Sequence, residues 1–138
     1  METKFNFNSS VCTSKEQSEK LLALGLKKET ADMCHFWHWA SDDYSLLSAS
    51  WERVHRSNND IPAWSLHRLW ELLPKSFWHD NGLEKKYHPI IEYDFVNYVT
   101  IDGMELFDLN YQKDVWESMI DCIEWLIKEG YFNKEYLV

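Results

Sequence analysis

The most ligand-rich stretch of the sequence is a short run that contains Cys34, His35 and His38. Imidazole nitrogen and thiolate sulfur are ligands that zinc prefers. The run is predicted to be a strand, in which residues three apart point to opposite faces, so His35 and His38 cannot share one ion. A zinc site also needs two further ligands, and no other Cys or His pair is suitably placed. We therefore predict no metal and no cofactor.

Three other features resemble fragments of catalytic sites. His67 and Glu71 face each other at i and i+4 on a predicted helix, where the commoner role is a surface interaction of a few tenths of a kcal/mol. His79 and Asp80 are adjacent in sequence, and neighbouring side chains diverge too far for a catalytic dyad. Cys12 precedes a helix N-cap, where a thiolate is favoured, although a buried neutral thiol is the commoner state. Cys12 is the cysteine to test for reactivity, and we assign no catalytic residue.

The tryptophans point to a binding surface. The chain has eight tryptophans in 138 residues, more than one small core readily hides. Six of them fit predicted core elements, but Trp64 and Trp78 do not. Trp64 is predicted in the first turn of a helix, away from the face that carries Leu66, Leu69 and Leu73 and one turn from Arg68. Trp and Arg are the usual anchors of protein interfaces. We predict Trp64, Arg68 and Trp78 as binding residues, with the alternative that Trp64 folds over the neighbouring loop.

Composition limits the classes to which the chain can belong. Formal net charge is −9, from 14 basic against 23 acidic residues, which argues against binding nucleic acid or an anionic membrane. High aromatic content and few glycines and prolines exclude a disordered chain. Neither a signal-peptide stretch nor a membrane-spanning run is apparent, and the three cysteines are widely spaced. These features predict a single domain over residues 1–138 in the cytoplasm, in which residues 1–12 form a loose arm or an edge strand.

The element order predicts an α+β fold. Capping boxes at Thr13 and Ser14 open a first helix that ends at Gly25, and a helical repeat from about Tyr111 to Glu129 marks a last, central helix that ends at Gly130. A third helix is predicted between them. The remaining segments predict a mostly antiparallel sheet of four or five strands packed against these three helices.

Turn residues set the predicted boundaries of the middle elements. Strand 34–39 pairs with strand 46–54, and Pro62 opens the middle helix because a missing N–H costs nothing there. Residues 75–86 are predicted to be a charged loop, and Pro89 places the strand after it at a sheet edge. Asp102-Gly103 predicts a two-residue hairpin in which Ile101 faces Met104 and Val99 faces Leu106.

Three blocks of the sequence resemble a family of small proteins of unassigned activity from phages, prophages and other mobile elements of Bacteroides-type gut bacteria. The blocks occur in the same order as in the family, and they are Ser14–Leu26 with Glu29–Met33, then Ile61–Leu66, then Glu124–Tyr131. The resemblance implies an intracellular protein of mobile-element origin. It implies no activity, and no catalytic residue carries over from it.

Two functional hypotheses follow from these patterns. The first is a non-enzymatic accessory protein that binds a host or phage protein through its aromatic-rich surface. The alternative is a small-ligand-binding protein or enzyme with an aromatic-lined pocket near Trp37, Trp39 and Trp51, with polar groups that converge on it. The sequence does not fix the oligomeric state.

Overall fold

A computed structural model describes residues 10–38, 40–47, 59–92, 95–107 and 114–138. The α-helices in these ranges are α1 (Lys15–Ala23), α2 (Leu66–Leu72) and α3 (Val115–Glu129). The strands are β1 (Met33–His38), β2 (Asp43–Leu47), β3 (Ile61–Ala63), β4 (Phe77–Asp80), β5 (Glu84–Glu92) and β6 (Phe95–Val99). Short 3-10 helices occupy Lys28–Thr30 and Lys134–Tyr136.

The described strands form two antiparallel sheets of three strands each. The first has the order β2-β1-β3 and the second has the order β4-β5-β6. The predicted α+β class is confirmed. The predicted single sheet of four or five strands is wrong for the described residues, because the six strands are divided between two separate sheets.

The first two strands form the predicted hairpin, but β2 begins earlier than predicted. It starts at Asp43 and pairs with β1 from His38 opposite Asp43 to Cys34 opposite Leu47. Asp42 adopts a positive φ of 53° in the connecting turn, which Asp tolerates better than most residues. Residues 48–58, on which most of the predicted strand 46–54 falls, lie outside the described residues, as do residues 1–9.

The predicted start of the middle helix at Pro62 is wrong. Pro62 lies in β3, where it pairs with Cys34 at the edge of the first sheet, a position that tolerates a missing N–H. The helix α2 begins at Leu66, because the hydroxyl of Ser65 accepts a hydrogen bond from the backbone N–H of Arg68 and caps the first turn.

The predicted charged loop 75–86 is also wrong, because it holds β4 and the start of β5. The turn at Asn81-Gly82 is present, with Gly82 at a φ of +98°, and Asp80 and Glu84 pair on its two sides. Strand β5 is central rather than an edge. Pro89 is tolerated there because β4 begins at Phe77, opposite Tyr87, so that the proline pairs only with β6.

The turn after β6 has three residues rather than two. The N–H of Thr100 donates to the carbonyl of Met104, the N–H of Gly103 donates to that of Thr100, and Val99 pairs with Glu105. The predicted pairing is therefore wrong by one residue. A two-residue type I′ turn needs a positive φ at both loop positions, but Gly103 has one (+87°) and Asp102 does not.

The first and last helices have the predicted local signals. The hydroxyl of Ser14 accepts from the N–H of Gln17, whose side chain accepts from Ser14 in return, and Gly25 follows the helix with a positive φ. Gly130 ends α3 with a φ of +80°. The wide apolar face of α3 contributes Trp116, Met119, Ile120, Cys122, Ile123 and Leu126 to the buried core. None of the three helices has the length and apolar character needed to cross a bilayer.

Candidate binding surface around Trp78

Trp64 and Arg68 both donate hydrogen bonds to Thr30. The indole of Trp64 has 0% exposure, and its N–H donates to the hydroxyl of Thr30 at 2.9 Å. The Nε–H of Arg68 donates to the backbone carbonyl of Thr30 at 2.7 Å. The prediction that Trp64 lies on the outer side of a helix is therefore wrong. Trp64 instead lies directly after β3 in the buried core, where its indole bonds to a residue of the 3-10 helix 28–30 and not to a residue of a neighbouring loop.

The two histidines of the sequence run bind separate partners. The Nε2 atom of His35 lies 2.8 Å from the carbonyl of Thr13, and the Nε2 atom of His38 lies 2.7 Å from the hydroxyl of Ser45. In the part of the chain that the structure describes, no group of three or more His, Cys, Asp or Glu side chains could hold a metal ion.

Cys12 lies in an environment that disfavours its thiolate. The thiol is buried, and burial together with the charge of Asp32 raises its pKa to about 11. His35 is 4.0 Å away, but its Nε2–H donates to the carbonyl of Thr13, so this nitrogen cannot accept the thiol proton. Cys12 is therefore the buried neutral thiol that the sequence gives as the commoner state, because desolvation outweighs the nearby helix N-terminus.

The predicted histidine–glutamate pair and the predicted aromatic pocket are the remaining candidates. The side chains of His67 and Glu71 lie 3.5 Å apart on the exposed face of α2. The ring of Trp37 packs edge-on against Tyr44 on β2, with the ring centres 4.8 Å apart. Trp39 and Trp51, the other walls of the predicted aromatic pocket, are outside the described residues.

Exposed large apolar side chains concentrate on the second sheet. Eight such side chains are exposed among the described residues, and five of them belong to the β4–β6 sheet and its turns: Trp78, Leu83, Ile91, Ile101 and Met104. Trp78 is 58% exposed, whereas the other described tryptophans are buried or half-buried. This concentration marks the second sheet and its turns as the region in which to look for a binding surface.

Strand alternation explains why Trp78 points outward. Its neighbour Phe77 is buried and stacks on Tyr131 at 4.3 Å, and His79 lies within hydrogen-bond distance of the Tyr131 hydroxyl. Since successive side chains of a strand point to opposite faces, Trp78 lies on the face away from Tyr131. Its cross-strand partner on β5 is Lys86, which is also exposed.

A groove of about 790 Å³ runs beside this indole. We call it the Trp78 groove, and its walls include Lys75, Trp78, Lys85, Lys86, His88 and the turn residues 100–102. Ile101, at the tip of the turn after β6, is 99% exposed. The groove therefore combines an indole, an aliphatic side chain and ammonium groups, which are groups with which proteins bind partners.

Lysines give the groove a local positive charge. Three lysines and two carboxylates, Glu84 and Asp102, line it. Lys85 pairs with Asp102 at 3.2 Å, and the hydroxyl of Thr100 also donates to this carboxylate. The two donors, Thr100 first, lower the pKa of Asp102 below its usual range. Within the described residues, Lys75 and Lys86 have no ion-pair partner.

The segment that leads into β4 is anchored to the core. The phenol of Tyr98, on β6, donates to the backbone carbonyl of Pro74 at 2.6 Å. Burial raises the pKa of Tyr98, so the phenol stays protonated and keeps its donor. This bond fixes the chain directly before Lys75, and the Lys85–Asp102 pair links the opposite wall to β5.

A second groove of about 560 Å³ lies between α1 and α3. Gln17, Lys20 and Leu24 form one side, and Glu117 and Asp121 belong to the other. None of the exposed large apolar side chains of the described residues lies in this groove. The Trp78 groove is therefore the stronger candidate for binding.

Comparison with protein-family models, curated proteins and solved structures finds no match for this chain. The assignment therefore depends on the site itself. The sequence named Trp78 but missed Lys86 and Ile101. Symmetric pairing about the Asn81-Gly82 turn is the signal that places Lys86 beside Trp78.

Proposed function

We propose that this protein is a non-enzymatic interaction protein that binds a partner protein through the Trp78 groove. The observation that carries the proposal is the exposed indole of Trp78 on a core-anchored strand, beside the exposed Ile101. Tryptophan is among the residues most enriched at the energetic centres of interfaces, because it buries a large area and loses little conformational freedom.

The energy available at this indole is large enough to matter for affinity. A tryptophan buries roughly 150–250 Å², and Trp78 is 58% exposed. Covering on the order of 100–150 Å² at about 25 cal/mol per Å² contributes about 3 kcal/mol. That corresponds to roughly a hundredfold in the dissociation constant.

The setting of the interaction is part of the same proposal. The resemblance to mobile-element proteins supports a host or phage protein as the partner. Free thiols at Cys12, Cys34 and Cys122 are typical of a reducing compartment and support action in the cytoplasm.

The proposal is tested by partner capture with matched variants. Tagged wild-type protein, Trp78→Ala and Leu83→Ala are each used to capture proteins from an extract of the source organism. Leu83 is a suitable control because it is exposed in the β4–β5 turn and does not line the groove. We expect a protein that the wild type and Leu83→Ala retain and that Trp78→Ala loses.

Light scattering and circular dichroism accompany the capture. They establish that the three proteins have the same oligomeric state and the same folded content. Capture of no protein, or equal capture by Trp78→Ala, would overturn the proposal.

A further inference from the structure

We infer that the partner segment that occupies the Trp78 groove is an acidic stretch of polypeptide that carries an apolar side chain. This inference rests on the proposed function and specifies the chemistry of the partner. It is carried by the juxtaposition of Trp78 and Ile101 with the lysines that line the same groove.

Charge complementarity favours an acidic segment. Lys75 and Lys86 lack ion-pair partners within the described residues, whereas Lys85 is already paired with Asp102. Glu84 is the one other carboxylate of the lining. A bound carboxylate can therefore pair with Lys75 and Lys86, whereas a bound cation can pair only with Glu84. The lining thus favours a negatively charged segment over a positively charged one.

The net charge of −9 does not cancel this local attraction. Exposed charges farther apart than the Debye length, about 8 Å at physiological ionic strength, are largely screened. Carboxylates farther than this from the groove therefore act weakly on a segment in it, whereas Lys86, in register with Trp78 on the adjacent strand, acts at close range.

The apolar walls require an apolar side chain in the same segment. Ile101 and Trp78 are exposed to water in the isolated chain, and a side chain placed between them removes both surfaces from solvent. Lys86 and His88, which also line the groove, are exposed as well, which makes it a surface groove rather than an enclosed cavity. A surface groove on a rigid strand pair suits an extended segment of chain.

The experiment is selection of peptides from a random display library on the immobilised full-length protein. Trp78→Ala and Leu83→Ala serve as parallel baits. We expect peptides enriched in Asp and Glu around an aromatic or aliphatic residue on the wild type and on Leu83→Ala, and their loss on Trp78→Ala.

Charge reversal then tests the electrostatic part on a selected peptide with a fluorescent label. Lys86→Glu should weaken its binding roughly three- to tenfold. Lys134→Glu, which reverses an exposed charge on the 3-10 helix 134–136 outside the groove, should leave it unchanged.

The outcomes separate this inference from the proposed function. Peptides that depend on Trp78 but are neutral or basic would overturn the acidic partner and leave the interaction protein in place. The absence of any Trp78-dependent peptide would overturn both. Displacement of the labelled peptide by single-stranded oligothymidylate at low salt would assign the groove to nucleic acid and overturn the inference.

Discussion

The indole N–H of Trp64 donates a hydrogen bond to the hydroxyl of Thr30, 2.9 Å away in the buried core. The same hydroxyl donates to the carbonyl of Lys27, so that Thr30 connects the 3-10 helix 28–30 to the segment before α2. The backbone N–H of Trp64 also donates to the hydroxyl of Thr13. Trp64 therefore connects two segments that are distant in sequence, one at Thr13 and one at Thr30.

Removal of the Thr30 hydroxyl tests this bond. Thr30→Val keeps the shape of the side chain but leaves the buried indole N–H without an acceptor. We expect the free energy of unfolding to fall by about 1–3 kcal/mol. Urea unfolding followed by circular dichroism measures the change. Thr30→Ser, which keeps the hydroxyl, is the control, and an equal loss in both variants would attribute the effect to packing rather than to the bond.

Truncation of Trp64 should cost far more stability than truncation of Trp78. Trp64→Ala removes a fully buried side chain and should cost about 3–5 kcal/mol. Trp78→Ala removes an exposed one and should cost less than about 1 kcal/mol. Denaturant unfolding of both variants gives the comparison. A large loss in Trp78→Ala would mean that the indole is covered in solution, and light scattering would then show whether a second copy covers it.

Local signals predicted the ends of the outer helices. The reciprocal bonds of Ser14 and Gln17 and the left-handed backbone of Gly130 depend on residues within one turn, so the sequence displays them directly. The apolar face of α3 is periodic over 15 residues and was predicted for the same reason.

Short strands were missed because distant residues stabilise them. Strand β3 has three residues, and its partner β1 lies some way back along the chain. Strand β4 has no alternating apolar pattern that the sequence could display. The side chains that pack against Phe77 include Tyr131 and Trp125, which come from the far end of the sequence. Without β4, the sequence could name Trp78 as a tryptophan without a core position but could not place it beside Lys86.

The turn after β6 discriminates between two hairpin geometries. Asp102 has a negative φ and accepts from Thr100 and Lys85, so Asp102→Gly should lower stability. In a two-residue type I′ turn the same change would raise it, because both loop positions would then favour glycine. Thermal unfolding of wild type and variant decides between the two geometries.

Gly103 is the complementary position in this turn. Nothing lies within 4 Å of an added Cβ, so the cost of Gly103→Ala comes from its φ of +87° alone. We expect a loss of about 1 kcal/mol. Gly103→Asn should lose less, because Asn adopts the left-handed region more readily. Equal stability of wild type and Gly103→Ala would show that the turn rearranges.

The buried thiols predict an alkaline loss of stability. Burial, with Asp32 adding to it, raises the pKa of Cys12 from 9.0 to about 11, and burial with Asp60 does the same for Cys34. Below pH 9 both thiols are neutral in the folded and unfolded states. Between pH 9 and 11 the unfolded chain loses these protons while the folded chain keeps them, so the free energy of unfolding should fall as the pH rises.

Urea unfolding from pH 8 to 11 measures this slope, and Cys12→Ala and Cys34→Ala serve as matched variants. Each should have a shallower fall than the wild type over the same range, whatever its stability at pH 8, because one titrating group has been removed. Tyr98, whose pKa is also raised by burial, contributes equally to all three proteins and cancels in the comparison. Identical slopes would show that the thiols ionise as readily in the folded chain as in the unfolded one. Slow reaction of both thiols with iodoacetamide at pH 8 in the folded protein, and fast reaction in urea, is the independent result expected from the same raised pKa values.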